Sequence, residues 1–537
     1  MLQAEQPSAT SNKGVTRALV AVFLVYFTSY AVMNLLTVTL PKMAAELNGM
    51  ALYSWAVAAP SLASAFVTLI FGKLSDLYGR RIILLVSLGF FLLGSVLSAV
   101  SQTFIFLIVA RSILGLGQGA LAALCFSVLG DLFDPVERGK WGGLLNIPSG
   151  LAALVGPTLG GYIMDTWGWR LIFWLSVPLL VLSVIAVLIG VPSLKKQAAH
   201  KIDFLGSVIL AVASSTMLLG FSWAGAMYPW GSIQIIGLLG SSVVFWALFI
   251  WVESKAEEPM LDPQLLTNRT FMIASMSGLL SLFGLVAIMV YFPLFHQGVQ
   301  GLSGTLSGQI LTPFSVLMGF MGIFAGLLLA KTKRYKWMYL VGYAIMVGAM
   351  FLLWSMNAQS PVWMSFLVST VMGLGIGTIP TINTLVVQYA VPKRLLGVAT
   401  GGIYFFVMIG MAIAPAILGS AMNSVYAKNL AAELPAELPQ VLDEATLASL
   451  NDPRMLLSPP VMAALEESFN ALGDNGPALF TQTVEAVRSS LEAGLKAAFL
   501  IGAITMVLSF LLILAIPEIS IEMEVEDKRA PAAAPAS

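Results

Sequence analysis

The chain has 537 residues, of which 58% are hydrophobic and only 10% are charged. An ordinary soluble domain carries about 25% charged residues, so this composition excludes a soluble protein and predicts an all-α protein that crosses a bilayer many times. Basic and acidic residues number 27 each, which gives no indication of a nucleic-acid partner. A single cysteine, Cys125, and only two histidines exclude an intrachain disulfide and a cysteine- or histidine-based metal site. We therefore expect no cofactor and no metal.

Fourteen apolar segments are long enough to cross a bilayer, which requires about 20 residues per helix. The first of them is longer than the core of a signal peptide and lacks a clear small-residue cleavage site, so we predict that it is retained. The predicted spans are 18–41, 51–72, 81–100, 104–129, 138–163, 170–192, 204–224, 232–252, 270–298, 306–330, 337–357, 361–388, 395–421 and 494–517.

The distribution of basic residues predicts the orientation of these spans. With a cytoplasmic N-terminus, 20 of the 27 lysines and arginines lie on the cytoplasmic side, six lie outside, and Arg111 lies within a span. Basic residues are enriched in cytoplasmic loops of membrane proteins. We therefore predict an integral protein of the cytoplasmic (cell) membrane with both termini in the cytoplasm.

The sequence contains an internal repeat. A shift of 258 residues places GLGIG (373–377) on GLGQG (115–119) and Pro415 on Pro157. Membrane proteins built from parallel repeats place their substrate site between the halves, near the midplane. The predicted domains are a disordered cytoplasmic tail at 1–16, a six-helix half at 17–192, a linker with two inserted helices at 193–269, a second six-helix half at 270–517 and a disordered cytoplasmic tail at 518–537.

One predicted outer loop, 422–493, is much longer than the others. It carries ten acidic and three basic residues, for a net charge of −7. Parts of it have apolar residues at roughly helical spacing. We predict short helices lying over the outer mouth, which form either a solvated spacer or a substrate gate.

The loop between the second and third predicted spans reads GKLSDLYGRR (72–81). Its glycines permit a tight loop, and its charges can join the two halves at the cytoplasmic face through charge pairs and helix ends. The basic residues alone would also satisfy the positive-inside rule. The residues of this candidate conformational latch are Gly72, Asp76, Gly79, Arg80 and Arg81.

Two further motifs lie in the fourth and fifth predicted spans. Arg111 lies about 10 Å below the outer edge of its span, where an arginine either snorkels to the interface or has a functional role. The fifth span contains GLAALVGPTLGG (150–161), in which small residues allow close helix packing. The residues of this motif are Gly150, Gly156, Pro157, Gly160 and Gly161.

These three motifs, in this order, resemble those of the major facilitator superfamily. VARSILGLGQGA (109–120) is similar to the arginine-bearing fourth-span motif, and the fifth-span motif is typical of antiporters. With fourteen predicted spans, WGWRLIFWLSVP (167–178) and YFPLFHQGVQGLSG (291–304), the chain most resembles the fourteen-span drug:proton antiporter family. The resemblance implies two six-helix halves plus two inserted helices, proton-coupled multidrug efflux, and a cavity-facing Arg111 that takes part in proton transfer.

The sequence departs from that family at two places. Val32, in AVMNLLTVTLP (31–41), stands where the family usually has an aspartate in its first span. The loop KTKRYK (331–336) keeps the basic charge of the second-half loop without its glycine-aspartate pattern.

No carboxylate is predicted at the centre of the bilayer, because all 27 acidic residues fall in loops, in tails or in the last turn of a span. A pump for lipophilic cations is expected to hold their charge with a buried acid, so the absence favours neutral, zwitterionic or anionic amphiphiles. His296, within a span, titrates near neutral pH if accessible but is more often hydrogen-bonded in place. The candidates for proton transfer are Arg111, Asp131, Asp165 and His296.

Uncharged polar residues in the spans are candidates to line a central cavity, although most such side chains in a bundle face lipid or neighbouring helices. They are Tyr30, Asn34, Thr37, Gln118, Asn146, Tyr291, Gln297, Asn383, Gln388 and Tyr404.

The sequence as a whole predicts a monomeric, non-enzymatic secondary transporter in the lipid bilayer. It would export hydrophobic or amphiphilic small molecules by alternating access, in exchange for protons. One alternative is a specific exporter or facilitator of one metabolite or lipid without proton coupling, and another is a non-transporting membrane sensor.

Overall fold

The computed structural model describes residues 12–517 except 37–38, 41–42, 44–45, 48–52, 134, 193–203, 226, 256–262, 393–394, 436–437, 439–446, 448–449, 451–455, 457–458 and 472–474. Within the described residues all regular structure is helical, apart from one bridge between Ala224 and Tyr228. Most of the two predicted disordered tails lies outside the described residues, but the first helix already begins at Asn12.

The helices form two bundles and an inserted hairpin. The N-terminal bundle comprises α1 (Asn12–Leu36), α2 (Tyr53–Tyr78), α3 (Arg80–Ala99), α4 (Phe104–Gln118), α5 (Leu121–Leu132), α6 (Pro135–Leu144), α7 (Asn146–Trp167) and α8 (Arg170–Gly190). The inserted hairpin comprises α9 (Phe204–Trp223) and α10 (Ile233–Glu253). The C-terminal bundle comprises α11 (Pro263–Thr267), α12 (Arg269–Val299), α13 (Gly304–Thr332), α14 (Lys336–Ser355), α15 (Val362–Ile376), α16 (Ile379–Ala390), α17 (Leu396–Glu433), α18 (Pro459–Asn470) and α19 (Gly476–Leu514).

Eleven candidate spans within the described residues are long and apolar enough to cross a membrane. The other three predicted spans correspond to α2, α7 and α9, which have 26, 22 and 20 residues and include residues whose side chains the structure does not describe. The all-helical membrane architecture is therefore confirmed, and the count of fourteen remains a prediction.

The glycine repeat marks a break in two helices. The predicted spans 104–129 and 361–388 are each two helices, α4–α5 and α15–α16, that separate at Gly119 and Gly377. Backbone groups released by such a break need new partners inside a bundle. Thr68 of α2 donates a hydrogen bond to the Gly119 carbonyl oxygen at 2.9 Å, and Thr378 donates to that of Gly375 at 2.8 Å. The breaks are therefore satisfied locally, in matching places of both bundles.

Two large buried clusters form the cores of the bundles. One draws its members from residues 19–191 and the other from residues 273–516. We call the face of the molecule that carries Asp76 the inner face and the opposite one the outer face, since the charge bias predicts that Asp76 faces the cytoplasm.

The long outer loop differs from its prediction. Helices α17 and α19 have 38 and 39 residues, so each continues well past the predicted span ends at 421 and 494. The two extensions pack together, and the Ser489 hydroxyl donates a hydrogen bond to Glu433. Glu492 accepts a hydrogen bond from the backbone N–H of Ala358 at 3.0 Å, which ties the extension to the C-terminal bundle. The described part is thus a folded outer extension of that bundle, in which only α18 is a short helix.

Candidate functional site

The two bundles meet on the inner face where α2 ends beside the start of α17. The buried carboxylate of Asp76 accepts hydrogen bonds from the backbone N–H groups of Gly397 and Val398, at 3.2 and 3.0 Å. These N–H groups belong to the first turn of α17, which has no earlier helical carbonyls to bind. The N-terminus of a helix also carries a partial positive charge, so it favours the carboxylate twice over.

Arg80 completes this contact from the start of α3. Its guanidinium lies 2.6 Å from Asp76 Oδ1 and 2.8 Å from Asp131 Oδ2, and it donates a third bond to Ser75. Arg80 and Asp76 are both about 5% exposed, so their charges compensate each other away from water. We call Asp76, Arg80, Asp131 and Gly397 the ionic latch.

Close backbone contact accompanies the ionic latch. A Cβ atom added to Gly397 would lie 2.5 Å from the Gly72 carbonyl oxygen and 2.6 Å from Asp76 Oδ2. Glycine is therefore required on α17 for this approach. Gly79 has a φ of 94°, a conformation that favours glycine, and it allows the turn from α2 to α3. Arg81 points elsewhere and donates to the Leu188 carbonyl oxygen of α8 at 2.6 Å.

A second seam joins the bundles between α6–α7 and α13. A Cβ added to Gly143 would lie 2.7 Å from the Gly322 carbonyl oxygen, and one added to Gly319 would lie 2.7 Å from the Gly150 Cα. Glycines on both helices allow this contact of backbone with backbone. Gly150 of the predicted fifth-span motif is thus an inter-bundle residue.

The rest of that motif packs inside the N-terminal bundle. A Cβ added to Gly156 would lie 2.5 Å from Asn34 Cβ, and one added to Gly160 would lie 2.5 Å from the Leu35 carbonyl oxygen. Both contacts are with α1. Pro157 and Gly161 lie within α7, but their surroundings are outside the described residues.

An aromatic layer lies between the bundles, deeper than the ionic latch. The Tyr26 hydroxyl donates to that of Tyr30 at 3.5 Å, and the rings of Phe126 and Tyr404 have centroids 6.4 Å apart. Tyr26 also packs edge-on against Phe126, at 6.1 Å. Since Tyr404 belongs to α17, this layer contains residues of both bundles. Gln388 of α16 supports it by donating to the Phe126 carbonyl oxygen at 3.3 Å.

The other cavity candidates mostly lie within one bundle. Gln118 donates to the Ser29 carbonyl oxygen at 2.9 Å, and Asn34 donates to that of Tyr30 at 2.8 Å. Asn383 accepts from the Tyr339 hydroxyl at 2.8 Å, and Tyr291 donates to the Pro415 carbonyl oxygen at 3.2 Å. In this arrangement, these four predicted cavity residues therefore make hydrogen bonds within their own bundle.

For three further candidates the structure describes no contact with the ionic latch or the aromatic layer. Gln297 is half-buried in the second π-helical segment of α12. Thr37 lies outside the described residues, as does the side chain of Asn146.

The proton-transfer candidates do not form one cluster. Arg111 is half-buried on α4, with its Nη1 atom fully buried, whereas Asp131 lies in the ionic latch. The side chain of Asp165 lies outside the described residues.

His296 lies in a π-helical segment of α12, fully buried, with its ring 4.0 Å from that of Phe292. Neither of its ring nitrogens has a hydrogen-bond partner among the described residues, and its part in proton transfer stays a prediction.

Sequence reasoning missed Tyr26 and the role of Gly397. Tyr26 and Tyr30 are four residues apart on an apolar helix and therefore share a face, which was the available signal. The 258-residue shift places Gly397 on Gly139, but its pairing with Asp76, 321 residues away, requires the tertiary structure.

Two helical bundles that touch through an ionic latch, glycine seams and a shared aromatic layer define a membrane transporter of the two-bundle type. The sequence profile of the Major Facilitator Superfamily matches residues 22–415. The chain belongs to this superfamily.

Curated relatives agree with this assignment. The multidrug transporter protein MdtP of Bacillus subtilis (strain 168) is 32% identical over 385 residues, which cover 72% of this chain and 71% of that protein. Multidrug resistance protein 3 of the same organism is 31% identical over 425 residues, covering 79% and 83%. An uncharacterized MFS-type transporter of Mycobacterium tuberculosis is 32% identical over 430 residues, which are 80% of this chain. The match spans only 62% of that relative's length.

Solved structures share the fold. The proton:xylose symporter XylE superposes with a TM-score of 0.60 at 13% identity, covering 96% of this chain and 99% of that one. The human organic anion transporter MFSD10 superposes with a TM-score of 0.57 at 16% identity, covering 95% and 100%.

Proposed function

We propose that this protein is a secondary transporter that exports hydrophobic or amphiphilic small molecules by alternating access, in exchange for protons. The observation that carries the proposal is the ionic latch, which joins two separate bundles by a buried but reversible set of contacts. A structural anchor would not need a buried charge at this place, because apolar packing is as stabilising. A latch that must open and close benefits from groups that water can solvate once they separate.

The aromatic layer is the proposed floor of the substrate site. It lies above the closed latch, contains side chains of both bundles, and combines apolar rings with the hydroxyls of Tyr26, Tyr30 and Tyr404. Such a surface suits ligands that are mostly apolar and carry a few hydrogen-bonding groups. Separation of the bundles would divide the layer and so dissolve the site.

The charge of the substrate follows from the acids. All 27 acidic residues are predicted outside the bilayer centre, and no acid belongs to the aromatic layer described above. A cation without a carboxylate partner would lose its hydration without compensation. We therefore propose neutral, zwitterionic or anionic amphiphiles as substrates. The multidrug names of the Bacillus relatives support a broad substrate range.

Proton coupling is proposed to involve Arg111, the only lysine or arginine predicted more than three residues from the end of a span, together with water. Its repeat partner is Ser369, so the charge is not part of the duplicated scaffold. An arginine at this depth can bind an anionic substrate or a hydroxide-like water and release it when the surroundings change.

An efflux assay in a host that lacks its own pumps tests the proposal. Cells are loaded with a panel of neutral, anionic and cationic fluorescent amphiphiles, and efflux is followed with and without a protonophore. We expect export of neutral or anionic dyes that stops when the proton gradient collapses, and that falls about tenfold in Asp76→Asn. Strong proton-dependent export of ethidium would refute the charge argument, and export unaffected by the protonophore would identify a facilitator.

A further inference from the structure

The inserted hairpin crosses one seam between the two bundles. We infer that it is an outer clasp, in which Trp223 of the hairpin holds Trp55 of the N-terminal bundle and stabilises the arrangement with a closed inner face. The inference rests on the proposed alternation between two arrangements of the bundles and assigns a role to the two helices that the twelve-helix core does not require.

The hairpin is attached to the C-terminal bundle. Its residues Ile209, Leu210 and Phe249 belong to a buried cluster whose other members come from the C-terminal bundle, such as Phe271. Trp246 packs against Phe405 of α17 with ring centroids 5.7 Å apart. These contacts lie in the inner part of the hairpin and tie it to the C-terminal bundle, while α9 also packs along α2 of the N-terminal bundle.

The turn of the hairpin is also fixed to α17 at the outer face. The Trp230 indole N–H donates to the Ser420 hydroxyl at 2.7 Å. Gly225 has a φ of 73°, and a Cβ there would lie 3.4 Å from Ser420 Cβ, so this turn fits closely against α17. The turn therefore presents Trp223 in a defined position.

Trp223 then reaches the other bundle. Its ring packs edge-to-face against Trp55, near the outer end of α2, with centroids 5.1 Å apart. The Trp223 indole nitrogen is buried and has no hydrogen-bond partner among the described residues, so its ring serves here as an apolar surface. Tryptophans near the ends of membrane helices are often plain interface anchors, a role that suits exposed Trp251 at the inner end of the same hairpin. Trp55 and Trp223 differ because they are half-buried against each other.

The consequence comes from the positions of the two contacts. Two bodies that rock about the midplane change their separation most at the ends, so a contact at an outer end cannot keep one geometry in both arrangements. The ring contact joins α2 to α9 of the hairpin, whose turn is fixed to α17, and it is present together with the closed ionic latch between α2 and α17. A contact formed in only one arrangement favours that arrangement by its own free energy. Direct contacts between the two bundles at the outer and the inner face would exclude each other. Because the hairpin provides the outer contact, the Trp55–Trp223 pair can form while the ionic latch is closed, and it stabilises that closed inner face.

Thiol labelling measures the equilibrium between the arrangements without any transport. The buried native cysteine is replaced (Cys125→Ser), and Leu396→Cys serves as reporter, since Leu396 is 1% exposed and lies beside Gly130 of the other bundle. The reporter reacts with an inner-side reagent when the inner face opens. We expect Trp55→Ala and Trp223→Ala each to raise the labelling rate about two- to twelvefold, the range of an aromatic pair.

The double variant provides the decisive comparison. Trp55→Ala with Trp223→Ala should label no faster than the more reactive single variant, because both remove the same contact. Trp251→Ala is the matched control and should label like the parent. Trp223→Phe keeps an aromatic ring and should label at a rate between parent and alanine variant, which covers the case that an alanine variant folds poorly.

Additive effects in the double variant, or single variants that label like Trp251→Ala, would overturn the clasp. The labelling rate of Asp76→Asn shows whether the clasp alone fails or whether the bundles do not alternate at all. If Asp76→Asn labels fast while the tryptophan variants do not, the bundles alternate but the hairpin does not hold them. If no variant labels above the parent, both the alternation and the clasp are refuted.

Discussion

The two inner seams between the bundles occupy equivalent places in the repeat but are built differently. The seam of α2 with α17 has a buried carboxylate, an arginine and a helix N-terminus, whereas the seam of α7 with α13 has glycine against glycine. Each of α2 and α13 ends in a turn at the inner face. Three residues before that turn, α2 has the acidic Asp76, whereas α13 has the apolar Ala330. The turn itself has Gly79 in one bundle and Lys333, with a φ of 55°, in the other.

The difference indicates that close approach and charge have separate tasks. Both seams keep small residues, because the backbones can touch only without side chains between them. Among the described residues of the two seams, ion pairs are found only at the α2–α17 seam, so we expect the free energy of the closed state to depend on one set of ionic contacts. Four substitutions test this separation, and they follow in order of the expected effect.

Gly397→Leu is expected to have the largest effect, since the added side chain meets the Gly72 backbone and the latch at once. Overpacking against rigid backbone costs about 3 kcal/mol, which corresponds to a loss of transport of about 100-fold. Initial efflux rates at matched membrane abundance measure it. Gly348→Leu on α14 is the control, because nothing lies within 4 Å of a Cβ there. Normal transport in Gly397→Leu would mean that this seam need not close.

Gly319→Leu tests the uncharged seam and should reduce transport about tenfold or more, because the side chain meets the Gly150 Cα. We expect less loss than for Gly397→Leu, since no charged group is displaced. Gly308→Leu, on the same helix in open space, is the matched control. The same efflux assay applies, and equal rates for both variants would show that the α13 seam is dispensable.

Asp76→Asn should reduce transport about tenfold. The amide keeps one acceptor for α17, and Arg80 keeps Asp131, so the loss is about one charge-assisted hydrogen bond of about 1.5 kcal/mol. Ala330→Asn changes the equivalent position of the uncharged seam and should leave efflux unchanged. A similar loss in both variants would contradict the assignment of the charge to one seam.

Tyr404→Phe should have the smallest effect of the four. It removes one hydroxyl from the aromatic layer and leaves the ring against Phe126. One hydrogen bond to a ligand corresponds to about a two- to tenfold change in the concentration for half-maximal efflux, with the maximal rate unchanged. Tyr162→Phe, on the exposed face of α7, is the control. An altered maximal rate with an unchanged concentration for half-maximal efflux would show that Tyr404 acts in closing the bundles and not in binding substrate.

The sequence predicted the scaffold better than the site. Glycine spacing, the 258-residue repeat and the three motifs predicted the superfamily, which the profile match confirms, because such patterns are local or periodic. The ends of α17 and α19 were wrong by about ten residues or more, since a hydropathy window cannot follow a helix into water. Contacts such as Gln388 with Phe126 join residues 262 positions apart, and no local pattern predicts them.

The outer extension of α17 and α19 has a practical consequence. A helix of 38 residues is about 57 Å long, whereas the hydrocarbon core of a bilayer is about 30 Å thick. The surplus of α17 and α19 forms a paired-helix epitope beyond the predicted spans. An antibody fragment bound there would serve as a fiducial for electron microscopy, and its tilt would report the angle of the C-terminal bundle at each stage of the cycle.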